Sequence, residues 1–432
     1  MKKAASFALG CKVNQYESEA IAELFAEKGY EIVGIDEEAD VYVINTCTVT
    51  NFGDKKSRQL IRKVKRQNEN AIVAVVGCYA QTAPKELMEI AGVNLVIGTK
   101  DRAQIVEMVE QYDRANGVEN HVSDIMKERV FEPLSIQKLA NRTRAYLKIQ
   151  DGCSQYCSYC IIPYARGPIR SREPQEVVAE VKRLAKNGFK EVVLTGIHVA
   201  SYGKDRRDTS LLDILKQVHE VEGIERIRFS SIEPNVVTEE FAQTMAALPK
   251  VCDHFHLSLQ SGCNKTLKEM NRKYDTEKYR QAVATLRKYL PKVALTTDII
   301  VGFPGETEED FRESYAFAEE IGFAKIHVFP YSPKRGTPAA ARKDQLLNAV
   351  KSERSHTLIQ LSDRMAADFL ADAVGTDAEV LYERAVGDGI YEGHTTNYMK
   401  VHGRSEADLT NRIAKTHITR AEGEMLFGDV EV

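Results

Sequence analysis

The chain has no tryptophan, so any ring that stacks on a ligand must come from Tyr, Phe or His. It has no apolar run approaching the roughly eighteen residues a membrane span needs. The opening Met1–Gly10 stretch is apolar only briefly before Lys12, Asn14 and Gln15, so it reads as a strand rather than a signal peptide. There is no charge excess: the net charge of −4 leaves no bulk field for nucleic acid, and any such contact must be local. Eight cysteines in 432 residues exclude a disulfide scaffold and suit metal ligands in a reducing cytoplasm. No Ser/His/Asp set or carboxylate pair stands out, and Gly302-Phe303-Pro304-Gly305-Glu306-Thr307 lacks the spacing of a phosphate-binding loop. With 43% hydrophobic and 28% charged residues, the chain reads as a globular protein of two to four domains.

What is present is concentrated thiol. Cys153, Cys157 and Cys160 stand at C-x3-C-x2-C spacing among Ser, Gln, Tyr and Gly, not within an apolar run. Soft thiolates this close suit zinc or an iron–sulfur cluster. No fourth Cys or His follows within thirty residues, whereas a structural zinc site closes with four ligands. A cluster held by three thiolates keeps one iron open for a ligand.

The first hundred residues alternate strands and helices. Strands are predicted at 5–9, 41–46, 71–77 and 94–98, and helices at 14–29 (capped by Asn14), 54–69 and 84–91. This alternation implies a doubly wound parallel sheet. Cys11, Cys47 and Cys78 each follow a strand, so all three fall at the carboxyl edge where open α/β sheets bind ligands. Any one alone reads as a core cysteine; their shared position points to a second metal site. The helix at 54–69 carries Lys55, Lys56, Arg58, Arg62, Lys63, Lys65 and Arg66, either a solvated basic face or a phosphate-contacting surface for RNA.

Residues 114–139 read as a linker. Six further strands, at 145–150, 191–196, 226–232, 254–260, 293–301 and 325–330, alternate with helices at 174–187, 211–222, 276–290 and 308–321. Six β/α units are two short of a closed barrel, so an open (β/α)6 barrel is expected, with the Cys153 loop at its mouth. Ligand candidates are Gly196, whose backbone a ligand can approach closely, Glu233 and Gln260 at the ends of other strands, and Asp298 within the fifth. Arg166 and Arg335, in loops after the first and sixth strands, are candidates for holding an anionic substrate or cofactor carboxylate. A helical connector is predicted at 340–374. Short β-rich runs then suggest a small barrel over 371–432. That segment has six bases against twelve acids, so RNA contact there needs local groups, with Tyr391, His394, Tyr398 or His417 stacking on unpaired bases. The expected division is thus 1–113, 114–139, 140–370 and 371–432.

Cys153, Cys157 and Cys160, with Tyr159 before the last, resemble the radical S-adenosylmethionine (radical SAM) signature. Leu9-Gly10-Cys11-Lys12-Val13-Asn14-Gln15-Tyr16-Glu17-Ser18-Glu19, Asn45-Thr46-Cys47-Thr48 and Gly77-Cys78-Tyr79-Ala80-Gln81 resemble the amino-terminal domain of the methylthiotransferases, and 371–432 is similar in length and position to a TRAM domain. The resemblance implies a 4Fe–4S cluster on Cys153, Cys157 and Cys160 whose open iron chelates S-adenosylmethionine. Tyr159 would lie near the adenine and Gly196 at the methionine amino group, while Glu233, Gln260 and Asp298 would meet ribose, methionine or target base. It implies an auxiliary iron–sulfur cluster on Cys11, Cys47 and Cys78 that carries the sulfur. The Gly-Cys-Lys-Val-Asn-Gln text is most similar to the MtaB-type branch, which implies methylthiolation at C2 of N6-threonylcarbamoyladenosine in tRNA. In that chemistry S-adenosylmethionine is both methyl donor and source of the 5′-deoxyadenosyl radical, and an external flavodoxin- or ferredoxin-like donor supplies electrons. Competing readings are an isopentenyladenosine substrate, a ribosomal-protein aspartate substrate, and a zinc-stapled RNA-binding protein without catalysis.

Overall fold

The computed structural model describes residues 1–136 and 143–431. The expected boundary at 139/140 lies outside the described residues. The amino-terminal sheet is parallel, in the order Glu31–Ile32, Lys3–Ala8, Val41–Thr46, Ile72–Gly77, Leu95–Val96, Glu119–Asn120. Glu119–Asn120 falls inside the stretch read as linker. Every residue of Val41–Thr46 is buried. Val41 and Val43 pack with Ile21 and Phe25, while Tyr42 and Ile44 pack with Ile61 and Val64, so alternate side chains bury against helices on opposite faces. The chain leaves Lys3–Ala8 for one side of the sheet and returns on the other, which places a topological switch point between Lys3–Ala8 and Val41–Thr46.

Two helices start earlier than expected. Lys12–Glu27 has Cys11, in extended conformation, as its N-cap. Asn14 instead donates its side-chain amide to the carbonyls of Leu9 (2.8 Å) and Thr46 (3.1 Å), tying two strand ends together. Asn51–Gln67 is capped by the Thr50 side chain, which accepts from the Gly53 N–H at 3.2 Å. Asp54 turns inward, accepting from Thr48 Oγ1 (3.0 Å) and pairing with Lys334 of the second domain.

In the second domain Arg144–Asp151, Glu191–Gly196 and Arg226–Phe229 form one parallel series, and His254–His256, Ala294–Val301 and Lys325–Pro330 another. Bridges Ile227–Val251 and Ile232–Leu257 join them into one open, six-stranded partial barrel. The strands expected over 226–232 and 254–260 are shorter, Arg226–Phe229 and His254–His256, because beyond them the ladder continues only as isolated bridges, Ile232–Leu257 and Gln260–Ile299, the last at a positive φ of 72°. The core joins Leu147, Leu194, Ile227, Phe255, Leu295 and Ile326 to the helices outside. Asn348–Ala371 is shorter than the connector predicted at 340–374, because residues 339–341 form only a single 3₁₀ turn.

The carboxyl-terminal domain is a closed barrel in the order Asp377–Gly387, Ile390–Thr395, Lys400–Arg404, Met425–Val430, Arg412–Glu422. Closure leaves no unpaired strand edge. The β-rich runs expected in this segment, at 379–381, 398–401, 414–418 and 425–428, omit the Ile390–Thr395 strand, since Tyr-Glu-Gly-His has no apolar alternation. The turn that starts it is plain: Asp388 and Gly389 both have positive φ, as a tight hairpin requires. Arg226 donates to the carbonyls of His394 and Glu379, and Arg228 to that of Thr396, each at 2.8 Å, so the barrels are clamped together. Among the described residues no helix is long and apolar enough to cross a membrane.

The small barrel has no room at Gly403, where a Cβ would meet the Tyr382 hydroxyl at 2.0 Å. Gly403→Ala should destabilise this domain by about 1–3 kcal/mol. Hydrogen exchange should quicken across 377–430 while the other two domains keep their protection; unchanged exchange there would contradict the packing.

Candidate active site

One cavity of about 1030 Å³ lies where the three domains meet. Gly10, Cys11, Lys12 and Val49 come from the first domain; Cys153, Cys157, Tyr159, Cys160, Gly196, Glu233 and Asp298 from the second; His394, Tyr398 and Lys400 from the third.

The Cys153 loop is fixed by backbone close approach. Gly152 has φ +73°, and a Cβ there would fall 1.8 Å from the Pro168 carbonyl oxygen. Its N–H donates to Asp151 Oδ1 (2.8 Å), and the Cys153 N–H donates to the Gly167 carbonyl (3.0 Å). On the other side, Ser158 N–H bonds to the Met270 carbonyl and Asn271 Nδ2 to the Tyr156 carbonyl. Arg272, which sequence reading did not single out, donates from Nη1 to Cys157 Sγ (3.1 Å) and from Nη2 to Glu233 Oε1 (2.7 Å). Its position directly after the helix that braces the loop was the available signal. Glu233 also faces His198 Nε2 at 3.2 Å. Gly196 lines the cavity and abuts Gln150, whose Oε1 a Cβ would meet at 2.8 Å, so glycine is what this close approach to the neighbouring strand requires.

Cys11 and Cys47 end the two strands that flank the switch point, and Cys78 ends the next strand. A Cβ on Gly10 would meet Cys47 Sγ at 2.7 Å, so the turn lies directly on the thiol. Cys78 Sγ accepts from Arg166 Nε at 3.1 Å. Burial, then Cys78 and Cys11, push the Cys47 thiol up to about 12, with the Val49 N–H opposing. Burial and Cys157 push Cys160 up to about 12, and burial pushes Cys153 up to about 11 against the Gln155 N–H. Crowded thiols thus resist ionising together, which is the environment that bound iron relieves. The donor sets fit clusters: three soft thiols each, with Arg166 or Arg272 aimed at a sulfur. Among the described residues no three Cys, His, Asp or Glu side chains are gathered tightly enough for a single metal ion. Thiolates on separate irons of a cluster stand farther apart than those around one zinc.

Beneath both triads runs a buried ion network. Glu17 pairs with Arg166 Nη1 (2.5 Å), Arg102 Nη1 (2.6 Å) and Lys148 Nζ (2.7 Å). Lys148 also pairs with Asp151 (2.6 Å), and Arg102 with Glu132 (2.5 Å). Arg166 Nη1 and Arg170 Nη2 each lie 3.5 Å from Asp151. Four cations (Arg102, Lys148, Arg166, Arg170) face three carboxylates (Glu17, Glu132, Asp151), leaving a positive excess beside Cys78.

Several expected residues take other places. Arg166 is fully buried and its anions are Glu17 and Asp151, so it is not a ligand for substrate or cofactor carboxylate; it positions Cys78. Gln260 is not in the cavity wall, because its backbone is spent bridging Asp298 and Ile300 at the positive-φ turn. Tyr398 lines the cavity and is exposed, and its ring is already stacked with His254 (5.0 Å) and His394 (4.9 Å) and flanked by Arg228 and Arg144. Tyr159, Gly196, Glu233 and Asp298 do reach the wall. Lys55 and Arg62 are exposed, Arg58 is half-buried with Nη1 bonded to the Tyr79 hydroxyl (2.9 Å), and Arg335 is 95% exposed.

The network sets a pH dependence. Burial would raise the Glu17 carboxyl, but Arg102, Arg166 and Lys148 outweigh it and hold the pKa well below the usual range. Burial likewise opposes Arg228 and Arg144 at Glu191, whose pKa falls to about 2. Such carboxylates stabilise the fold above their unfolded pKa of about 4, and that contribution is lost as pH falls toward the folded values. The urea midpoint should therefore hold between about pH 7 and 5 and fall below about pH 4. Glu17→Gln leaves buried cations unpaired and should cost about 3–5 kcal/mol at pH 7; an unchanged midpoint would contradict the network's role.

Comparison with known proteins agrees with this geometry. Residues 147–318 match the radical SAM superfamily, and residues 3–98 match uncharacterized protein family UPF0004. The chain is 47% identical to threonylcarbamoyladenosine tRNA methylthiotransferase MtaB of Bacillus subtilis, covering 98% of this chain and 94% of that one. It is 40% identical to the MtaB of Aquifex aeolicus (88% and 92%) and 36% identical to tRNA-2-methylthio-N(6)-dimethylallyladenosine synthase of Moorella thermoacetica (98% and 96%). In fold it is similar to the radical S-adenosylmethionine methyltransferase TsrM from Kitasatospora setae, with TM-score 0.56 at 16% identity over 90% of this chain and 79% of that one. The chain belongs to the radical SAM methylthiotransferase family.

Proposed function

We propose that this enzyme replaces the C2 hydrogen of N6-threonylcarbamoyladenosine in tRNA with a methylthio group. The observation that carries the reading is that Cys11 and the Cys153, Cys157 and Cys160 thiols open onto the same cavity. A base held there meets both sites at once. When bound, the two clusters and S-adenosylmethionine supply the 5′-deoxyadenosyl radical and the methylated sulfur. The chain does the rest. Arg272 holds Cys157 and Glu233 in one hydrogen-bonded unit at the wall. Gly196 presents backbone at the wall where the methionine moiety would lie, and Tyr159 lines the wall beside the triad. Glu233 and Asp298 offer acceptors to ribose or base. Arg228 and Arg226 hold the small barrel against the far wall.

For the tRNA body, Lys55, Lys56, Arg62, Lys63 and Arg66 project from the helix Asn51–Gln67, which begins just past Cys47 and close to Val49 of the wall. This face supports phosphate contacts. Exposed Arg335 is a further candidate. The acidic small barrel acts as a wall of the site and not as a charged RNA platform. A flavodoxin- or ferredoxin-like protein is the fitting electron donor, and eight free cysteines fit work in the reducing cytoplasm.

The test is mass spectrometry of nucleosides from threonylcarbamoyl-modified tRNA, after anaerobic incubation of reconstituted protein with S-adenosylmethionine and a reductant. A methylthio mass gain confined to that nucleoside, lost in Cys157→Ala, is expected. Gain only on dimethylallyl-modified tRNA would overturn the substrate. A colourless, zinc-loaded protein with no product would return the chain to a non-catalytic RNA binder.

A further inference from the structure

Five cationic side chains line the cavity: Lys12, Arg228, Arg272, Lys325 and Lys400. Four have acidic partners. Arg228 Nε is 3.0 Å from Glu191, Arg272 Nη2 2.7 Å from Glu233, Lys325 Nζ 2.5 Å from Glu424, and Lys400 Nζ 3.8 Å from Glu392. Lys12 has no carboxylate within 4 Å among the described residues; its ammonium lies 5.8 Å from the Tyr146 ring centroid. Its strongest charged neighbours are the guanidiniums of Arg144 and Arg228. The two nearby carboxylates are already taken, Glu191 by Arg144 (2.6 Å) and Arg228 (3.0 Å) and Glu383 by Arg144 (2.7 Å), which leaves three cations against two acids. This corner of the cavity thus holds uncompensated positive charge, which an anion would relieve.

We infer that Lys12 is the specificity-determining residue that binds the carboxylate of the threonylcarbamoyl group. The inference rests on the substrate reading above and adds the contact that recognises the modification. A threonylcarbamoyl substituent ends in a carboxylate, whereas a dimethylallyl substituent is wholly apolar. Only the former gives a partner to an unpaired ammonium. The geometry also serves the chemistry. C2 and C6 of adenine flank N1, so the C2–H and the N6 substituent leave one edge of the base in diverging directions. Anchoring that substituent at Lys12, over the beginning of Arg144–Asp151, leaves C2 free to turn toward the far end of the same strand, where Cys153 follows. Lys12 directly follows Cys11, so the residue that reads the substrate moves with a ligand of the auxiliary site. Arg144 and Arg228, held by their own acids, raise the potential without competing for the anion.

The test compares a modified anticodon stem-loop with its threonine carboxylate free and the same stem-loop with that carboxylate methyl-esterified. Reconstituted wild-type enzyme should bind the free acid about 10- to 100-fold more tightly than the ester, the range for a charge-assisted contact. Lys12→Gln should lose that preference, binding both forms like wild type binds the ester, and Lys12→Arg should restore most of it. In methylthio product formation the loss should appear as a higher KM for the free acid. Equal wild-type binding of acid and ester would overturn the inference without recourse to any variant. So would a preference that survives in Lys12→Gln. Failure of the substrate reading is separate: it would show as no methylthio product on the free acid at any concentration, with product on dimethylallyl-modified RNA.

Discussion

The buried pairing of Arg166 with Glu17 is what the site depends on. Glu17 belongs to the first domain and Arg166 ends the short helix Ile162–Arg166 after the first barrel strand, and both are fully buried. Arg166 reaches Cys78 of one triad. Through Lys148 the same carboxylate reaches Asp151, whose side chain accepts the Gly152 N–H immediately before Cys153 of the other triad. The register between the two metal sites is therefore written in short ionic contacts and not left to the packing of two separate domains. A buried network of this kind is poor value as pure stability, because desolvation offsets much of its Coulomb energy. Its worth is in fixing geometry.

A reaction at an unactivated aromatic C–H needs the sulfur source and the radical source presented to one carbon. The switch point of the first domain and the mouth of the partial barrel each have a binding edge of their own. Here the two edges face each other, and the small third domain covers the remaining side through the Arg226 and Arg228 clamps. Hydrogen-bond donors aimed at the sulfurs, from Arg166 and Arg272, complete an environment in which thiolate ligands are favoured once iron is present.

Much of this was legible in the sequence because it rests on local pattern. The C-x3-C-x2-C spacing, the strand-ending positions of Cys11, Cys47 and Cys78, and six β/α units each need only neighbouring residues to be read. What was not legible depends on tertiary partners. Arg166 looked like a loop guanidinium waiting for an anion, and nothing local shows that Glu17, far off in the chain, fills that role. Arg272 was overlooked for the same reason: its meaning comes from Cys157 and Glu233, not from its neighbours in sequence. Gln260 was misplaced because alternation carried the strand past a positive-φ turn. Tyr398 sits on the small barrel and stays exposed, as a stacking residue would, but its ring already stacks with His254 and His394.

The central claim is that two iron–sulfur sites open onto one cavity. Anomalous diffraction at the iron edge, from anaerobically reconstituted crystals, tests it most directly. The account predicts two separate iron peaks, one among Cys153, Cys157 and Cys160 and one among Cys11, Cys47 and Cys78, both bordering the same space. Iron at only one triad, or a zinc signal at either, would contradict it.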